Sequence, residues 1–500
     1  MIAFMPQANQ GAPARLTPVA VMLLSYCAAF LVSKYVGLFP GYAIDDYQII
    51  SRQQEGEQIA FFLTQGRYGT ALIDFLLQGS SLNMLSFSVV SLIASMLFSG
   101  LFFTTVLAPS IETPRAALAS ISAVLGAHSY YAEYVTFRQS ALPMSMMFAL
   151  IWLAARSYRK AVSNDEHRPR HIILATLAGG TAMGFNQLAV CYCAAAALYI
   201  HLQLPISDHS SPKSSLTKAL LRATLFSALV GAVLIGINVL LSAGLRSAFD
   251  MPTDGRAAML AMSQLGERTH QLGALIPQLL FRYEPVASPL AKLTCLAGIA
   301  ILLIPLRTSE LRISFIAFYF LLLGLAITLV PVTLSSTWWP VPRTLISIAF
   351  VLAGTASLLF SQQKPRRLLA STTLFMISAL LFSAHSNSLL LNQQRLNRWD
   401  ITQAQAIAIR AATEFPDAPG KIAIAGAHWH HSLAPGIAQG DMNTSALAIG
   451  WAVDALFDES TGTDMSVRSA PELVSTCEGR KPFPAKDSML EVEGEVLVCM

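Results

Sequence analysis

Long apolar runs alternate with short polar stretches along most of the chain. Seven of the runs are each close to the length of a helix that crosses a bilayer, about 20 residues. They occupy residues 19–38, 85–108, 219–243, 290–306, 313–333, 344–360 and 367–386. The pattern predicts an all-α polytopic membrane protein.

Two further apolar regions are too long for one helix. Residues 116–157 are interrupted by polar positions over Ser129–Ser140, and residues 171–203 are interrupted at Asn186-Gln187. We interpret each region as a helical hairpin whose short legs meet at a polar tip. With both hairpins, the chain is expected to form about eleven membrane-spanning helices.

The end of the chain has a different pattern, which predicts a second domain. We assign residues 1–388 to a transmembrane domain and residues 389–500 to a small α/β domain outside the membrane. The elements expected in the second domain are helices over Asn397–Phe415 and Ser445–Phe457 and strands over Lys421–Gly426 and Glu495–Cys499.

The distribution of Lys and Arg predicts the orientation, because these residues accumulate in short cytoplasmic loops. With a cytoplasmic N-terminus, every predicted cytoplasmic segment is basic, with Arg15, Arg115, Arg156, Arg159, Lys160, Arg168, Arg170, Lys213, Lys218, Arg307, Arg312, Lys364, Arg366 and Arg367. The first loop (residues 39–80), both tips and the C-terminal domain are then expected on the outer side.

Composition supports this class of protein and excludes others. Hydrophobic residues make up 54% of the chain and charged residues 12%, whereas a soluble domain has about 25% charged residues. A lipid bilayer is therefore an expected partner. The net charge of +4 is too small to indicate a nucleic-acid partner.

The sequence predicts no metal site. Cys191 and Cys193 have no further Cys or His at ligand spacing, and the cluster of His428, His430 and His431 lacks a completing acid-and-His pattern. We expect no cofactor, although a divalent cation stays an open alternative.

Two cysteines in the polar tail, Cys477 and Cys499, would form a disulfide if the tail faced an oxidising compartment. The sequence leaves that bridge undecided.

The first loop contains a pair of acids followed by a cation. Asp45 and Asp46 lie just beyond the first apolar run, and Arg67 follows in the same loop. A carboxylate there can act as a general base, and a guanidinium can bind an anionic leaving group. The structural alternatives are a helix cap for the acids and a lipid-headgroup anchor for Arg67.

The two tips add polar side chains on the same side. The first tip contains Tyr130, Glu133, Arg138 and Gln139. Charges on short legs that barely leave a bilayer are costly unless they line a polar cavity, and aromatic faces beside hydrogen-bonding groups suit a sugar ring. The tyrosines could instead form an interfacial belt, and Asn186-Gln187 of the second tip could be a simple turn.

A late helix begins with Trp338-Trp339-Pro340-Val341-Pro342-Arg343. The tryptophans are typical of interface anchors. Arg343 is well placed to hold a lipid phosphate at headgroup depth.

Together these motifs resemble the serotype-converting O-antigen glucosyltransferases, Gtr type II. The resemblance depends on the order of Asp45-Asp46, Gly66-Arg67-Tyr68, the Gln-bearing first tip, the proline-rich entry to Arg343 and the small C-terminal domain, and it extends over most of the chain. It implies a GT-C membrane glycosyltransferase that moves glucose from undecaprenyl phosphate to lipopolysaccharide O-antigen, at the periplasmic face of the bacterial inner membrane.

Carried over to this chain, the resemblance implies that Asp45 or Asp46 is the general base and that Arg67 and Arg343 hold the donor phosphate. The remaining residues expected to bind substrate are Tyr68, Tyr130, Glu133, Arg138, Gln139, Asn186 and Gln187.

Two other functions compete with the transferase. An O-antigen polymerase or ligase would concentrate its outer arginines in one large late loop, whereas the acids here lie early in the chain. A flippase for lipid-linked sugars would place charge within its spans near the midplane. The predicted spans are nearly uncharged, which favours the transferase.

Overall fold

The computed structural model describes residues 16–39, 41–47, 49, 57–80, 82–108, 113–163, 167–207, 214–252, 260–281, 288–305, 308–360, 363–418, 420–427 and 443–500. These residues form a helical bundle followed by a small sheet. The helices are α1 (Pro18–Lys34), α2 (Glu57–Thr64), α3 (Tyr68–Leu77), α4 (Ser88–Leu107), α5 (Arg115–Ala127), α6 (Ser129–Thr136), α7 (Ala141–Ser163), α8 (Arg168–Phe185), α9 (Ala189–Ser207), α10 (Ser214–Ala248), α11 (Leu265–Phe281), α12 (Pro289–Leu303), α13 (Thr308–Leu334), α14 (Ser347–Phe360), α15 (Pro365–Glu414) and α16 (Val453–Thr461). The strands are β1 (Lys421–Ala425), β2 (Ser466–Ser469), β3 (Met489–Val492) and β4 (Glu495–Cys499).

The helical part has the length and surface of a membrane protein. Among the described residues, six helical segments are long and apolar enough to cross a bilayer. Large apolar side chains point outward on these segments, including Leu240, which is 75% exposed, and Leu380. Such a surface is stable against lipid and unfavourable in water. The prediction of a mostly α-helical membrane protein is confirmed, whereas the number of about eleven spans stays a prediction.

Both long apolar regions are divided into separate helices at the polar residues that predicted the interruptions. The first separates into α5, α6 and α7, and the second into α8 and α9. At the second break, Asn186 Oδ1 accepts a hydrogen bond from Leu188 N at 3.0 Å, a local turn that competes with the helix. In the first region the two long helices do not pair with each other. Helix α5 packs chiefly on α1 and α15, whereas α7 packs on α4 and α8.

Helices α1 and α5 come into backbone contact at Gly126. A Cβ atom there would lie 2.4 Å from Tyr26 O and 3.0 Å from Phe30 N. The Gly126 carbonyl also accepts a hydrogen bond from Lys34 Nζ at 2.6 Å. The contact therefore requires a residue without a side chain.

We expect Gly126→Ala to lower the free energy of unfolding by about 1–3 kcal/mol, because the added methyl group must push two helix backbones apart. Thermal unfolding of the purified protein in detergent measures the change. Gly236→Ala is the matched control, since a Cβ atom at Gly236 meets nothing within 4 Å. That variant should be unchanged or more stable, given the helix propensity of Ala. Equal effects of the two variants would contradict the close contact.

The C-terminal part is built on the end of α15, which passes without a break through residue 388. Its sheet has the order β2-β1-β4-β3, with β1 parallel to β2 and β4, and with β3 antiparallel to β4. One face of the sheet packs on the last turns of α15 and on α16 through Ile407, Ile422, Leu456 and Val496. The predicted strands at both ends of this region are confirmed.

The helix predicted over Ser445–Phe457 is wrong at its start, because α16 begins only at Val453. The Asp400 carboxylate accepts hydrogen bonds from Ser445 Oγ at 2.6 Å and from Ala446 N at 2.9 Å. These bonds hold the segment as a short turn against α15.

A disulfide joins Cys477 to Cys499, whose Cα atoms are 5.5 Å apart. It links β4 to the segment that precedes β3. The structure thus decides the question that the sequence leaves open.

Candidate functional site

A cavity of about 160 Å³, here called the site cavity, lies where both tips, the start of α3 and the segment between α13 and α14 meet. Its walls are formed by Arg67, Tyr134, Phe137, Ser140, Asn186, Gln187, Leu188, Pro331, Val332, Ser335, Thr337, Trp339, Arg343 and Thr344. Four of the residues singled out in the sequence, Arg67, Asn186, Gln187 and Arg343, are therefore brought together.

The Arg343 side chain is held from three sides. Its Cζ atom lies 4.4 Å from the ring centroid of Trp339 and 5.2 Å from that of Phe137. On the third side, Nη1 is 3.9 Å from Glu133 Oε2, which also accepts a hydrogen bond from the Arg343 backbone N at 2.8 Å. Aromatic faces and a carboxylate thus fix a buried guanidinium at the cavity wall.

The second cation, Arg67, is positioned by a tight turn. Gly66 has φ +73°, a conformation that favours glycine. Gln187 Nε2 donates a hydrogen bond to Gln65 O at 2.8 Å, and Arg67 N donates one to Phe62 O at 2.9 Å. Gln187 therefore joins the first loop to the second tip. Arg67 forms part of the wall of the site cavity, next to this connection.

The second tip also positions an aromatic wall. Asn186 Nδ2 donates a hydrogen bond to the Tyr134 hydroxyl at 2.7 Å. Tyr134 and Trp339 both line the site cavity, although the sequence offered neither as a binding residue. The available signal was their position, since Tyr134 follows Glu133 directly and Trp339 lies four residues before Arg343.

The two acids of the first loop have different environments. Asp46 is fully buried, and its Oδ2 and Oδ1 accept hydrogen bonds from Ala43 N at 2.8 Å and from Gln139 N at 3.0 Å. In the first bond, a side chain in the first helical turn accepts from the N–H of the residue before the helix, as in a capping box. Asp46 therefore fits the helix-cap interpretation. Burial raises the pKa of Asp46 to about 7, although both backbone bonds and Arg138 act to lower it.

Asp45 is half-buried on the same helical turn. Neither acid lines the site cavity. The bond from Gln139 N ties Asp46 to the first tip, where Phe137 and Ser140 form part of the cavity wall.

Arg138 lies outside the site cavity and holds the start of the first loop. Its Nε donates a hydrogen bond to Gly41 O at 2.7 Å, and its Nη1 donates one to Ser88 Oγ at 3.2 Å. Nη2 donates to the carbonyls of Gly37 and Phe39. These bonds make Arg138 a positioning residue that joins the loop to the first tip.

The two other expected binding residues, Tyr68 and Tyr130, also lie outside the site cavity. The Tyr68 hydroxyl donates a hydrogen bond to Gly180 O at 2.8 Å, which fastens α3 to α8. Tyr130 is 2% exposed and packs edge-on against the His128 ring, with centroids 4.8 Å apart. Both side chains pack helices together in this structure.

Arg268 is a further cation near the site that no local pattern in the sequence identified. It is 4% exposed, and its Nη2 donates hydrogen bonds to Ser335 O at 2.9 Å and to Ser336 O at 3.1 Å. Its Cζ lies 4.9 Å from the Trp338 ring centroid. Arg268 therefore anchors the segment that brings Trp339 and Arg343 to the cavity.

The histidine cluster considered for metal binding, His428, His430 and His431, lies outside the described residues. Within the ranges that the structure describes, no group of three His, Cys, Asp or Glu side chains could hold a metal ion.

Comparisons with protein-family models, with curated proteins and with solved structures give no match. Function must therefore be inferred from the site cavity and from the motifs in the sequence.

Proposed function

We propose that the protein is a membrane glycosyltransferase of the GT-C class that moves a sugar, typically glucose, from an undecaprenyl-phosphate donor to O-antigen or a similar surface glycan. The main support is that Arg67 and Arg343, distant in the sequence, line one cavity together with Tyr134, Asn186 and Trp339. Paired guanidinium groups suit a phosphate leaving group. The aromatic and amide side chains suit a sugar ring.

In the proposed reaction the acceptor hydroxyl oxygen bonds to the anomeric carbon of the sugar. The bond between that carbon and the phosphate oxygen breaks, and polyprenyl phosphate leaves with the electron pair. Arg67 and Arg343 compensate the charge that develops on the phosphate. The hydroxyl proton passes to a carboxylate, and attack opposite the leaving group inverts the anomeric centre.

We assign the role of base to Asp45. Both oxygens of Asp46 already accept backbone hydrogen bonds, so Asp46 holds the loop in place. Asp45 is its half-buried neighbour, on a turn that the bond between Asp46 and Gln139 N ties to the first tip. Glu133 is committed to Arg343 and would orient that guanidinium rather than accept the proton.

We further propose a bacterial inner-membrane location, with a cytoplasmic N-terminus and a periplasmic C-terminal domain. Ile44 and Tyr47 of the first loop share a core with that domain, so it lies at the same end as the site cavity. A disulfide in the domain suits an oxidising compartment. Basic residues at the opposite end, such as Arg159 and Arg367, suit the cytoplasm.

A cysteine at Asp464, an exposed position in the C-terminal domain, should react with an impermeant thiol reagent in intact spheroplasts. A cysteine at Ser163, the exposed end of α7, should react only after the membrane is opened. Replacing the four unpaired cysteines with alanine removes the background, and mass spectrometry measures labelling. The reverse pattern would contradict the proposed orientation.

The activity itself is tested with purified protein, synthetic polyprenyl-phosphate glucose and isolated O-antigen. We expect the donor to be consumed and glucose to appear on the acceptor with an inverted linkage. A flippase would move the labelled donor across a liposome membrane without cleaving it. A polymerase or ligase would leave this donor intact and would require a preassembled glycan on its lipid carrier.

A further inference from the structure

A second cavity, of about 220 Å³, lies between α7, α8, α9 and α10. Its wall is apolar, and small side chains leave the space open: Ala154, Ala196 and Ala197 face larger residues such as Leu229 and Val233. Apolar cavities of about 150 Å³ already take up hydrocarbon ligands. We call this space the lipid cavity.

The lipid cavity lies in the half of the bundle away from the site cavity. On α7 and α10, the lining residues nearest the end of the bundle away from the site cavity are Tyr158 and Phe226. From Phe226 to Leu234 the cavity follows α10 for about 12 Å, at 1.5 Å per residue. Its length therefore suits part of an extended hydrocarbon chain.

A polar cluster stands at this end of the cavity. The Tyr158 hydroxyl and His201 Nε2 are 2.9 Å apart, and the His201 ring stacks on Phe226 with centroids 4.5 Å apart. Arg222 Cζ lies 5.6 Å from the centroid of the same Phe226 ring. A guanidinium group thus sits directly beside the entrance to an apolar space.

His201 supplies a second polar feature. It is only 4% exposed, and its Nδ1 has no hydrogen-bond partner among the described residues. Buried ring nitrogens normally have a partner, so this atom is open to a group that the described residues do not provide. The guanidinium groups of Arg168 and Arg222 both act electrostatically on His201.

We propose that this cluster and the lipid cavity form a binding site for an anionic phospholipid. One hydrocarbon chain lies in the cavity, and the phosphate lies between Arg222 and His201. Basic pockets between membrane helices commonly bind anionic headgroups. An uncharged lipid could fill the lipid cavity with its hydrocarbon chain, but an anionic headgroup would in addition pair with the Arg222 guanidinium and accept a hydrogen bond from the buried His201 imidazole. The site is independent of the proposed transferase activity.

Native mass spectrometry of the delipidated full-length protein tests the proposal. Three probes distinguish the contribution of the headgroup charge from that of the hydrocarbon chains. They are phosphatidylglycerol, phosphatidylcholine with identical chains, and glycerol phosphate without chains. We expect one phosphatidylglycerol to bind more tightly than either other probe. Arg222→Gln should weaken this binding about fivefold and leave phosphatidylcholine unaffected.

Two further variants make the test specific. Arg246→Gln makes the same charge change at the other end of α10, and it should leave phosphatidylglycerol binding unchanged. Ala197→Phe fills the lipid cavity and should remove the tightly bound lipid. Equal binding of the two phospholipids would overturn the proposal, as would binding of glycerol phosphate as strong as that of phosphatidylglycerol. An equal loss in the Arg222 and Arg246 variants would also overturn it.

Discussion

Asp45→Asn should reduce sugar transfer by about 10³-fold and leave donor binding intact. The amide keeps the shape of the side chain but cannot take the proton from the acceptor hydroxyl. Single-turnover assays with polyprenyl-phosphate glucose measure the chemical step, and a separate donor titration measures binding.

The matched control is Asp46→Asn, one residue away. Asp46 is fully buried, and its two oxygens accept backbone hydrogen bonds from Ala43 and Gln139. An amide can accept only one of them, so we expect lower thermal stability, with most of the turnover retained in the folded fraction. If Asp46→Asn abolishes turnover and Asp45→Asn does not, the two roles are exchanged. If neither variant loses turnover, no acid of the first loop is the base.

Arg343→Gln should lower the rate of transfer by about 10²–10³-fold, the usual loss when one donor to a developing oxyanion is removed. Arg343→Lys should restore little, because an ammonium group lacks the planar fork that fits a phosphate and stacks between Trp339 and Phe137. Steady-state and single-turnover kinetics measure both variants.

The loss must be separated from damage to the fold, because Arg343→Gln also leaves the buried Glu133 carboxylate without its guanidinium neighbour. The double variant Arg343→Gln with Glu133→Gln removes that uncompensated charge. We expect the double variant to recover thermal stability and to remain slow. Recovery of activity together with stability would show that Arg343 acts only on the fold.

Local periodicity predicted much of the helical architecture. Apolar runs of bilayer length became helices, and the polar interruptions at both tips became breaks, because hydrogen bonding within a helix depends on nearby residues. The strands β1 and β4 were also visible as short apolar segments. The start of α16 was missed because Asp400, distant in the sequence, holds Ser445 and Ala446 in a turn.

The candidate site could be predicted only in part. Arg67 was recognisable as a cation in the same loop as a pair of acids, and Arg343 as a cation at the entry of an apolar helix. The sequence thus identified the two cations but not the side chains that surround them. Arg138 looks equally suited to substrate in the sequence, yet its donors are taken by carbonyls of Gly37, Phe39 and Gly41, around the start of the first loop.

By itself, the sequence determined that this chain is a mostly helical membrane protein, where its helices break, and which polar residues lie near their ends. Those properties follow from the order of residues within single helices and at their ends. Only the tertiary structure decided that Arg67 and Arg343 share a cavity, that Asp46 is buried and bonded to Gln139 of the first tip, and that Cys477 pairs with Cys499. Each of these depends on contacts between distant segments, whose geometry is set by the packing of whole helices.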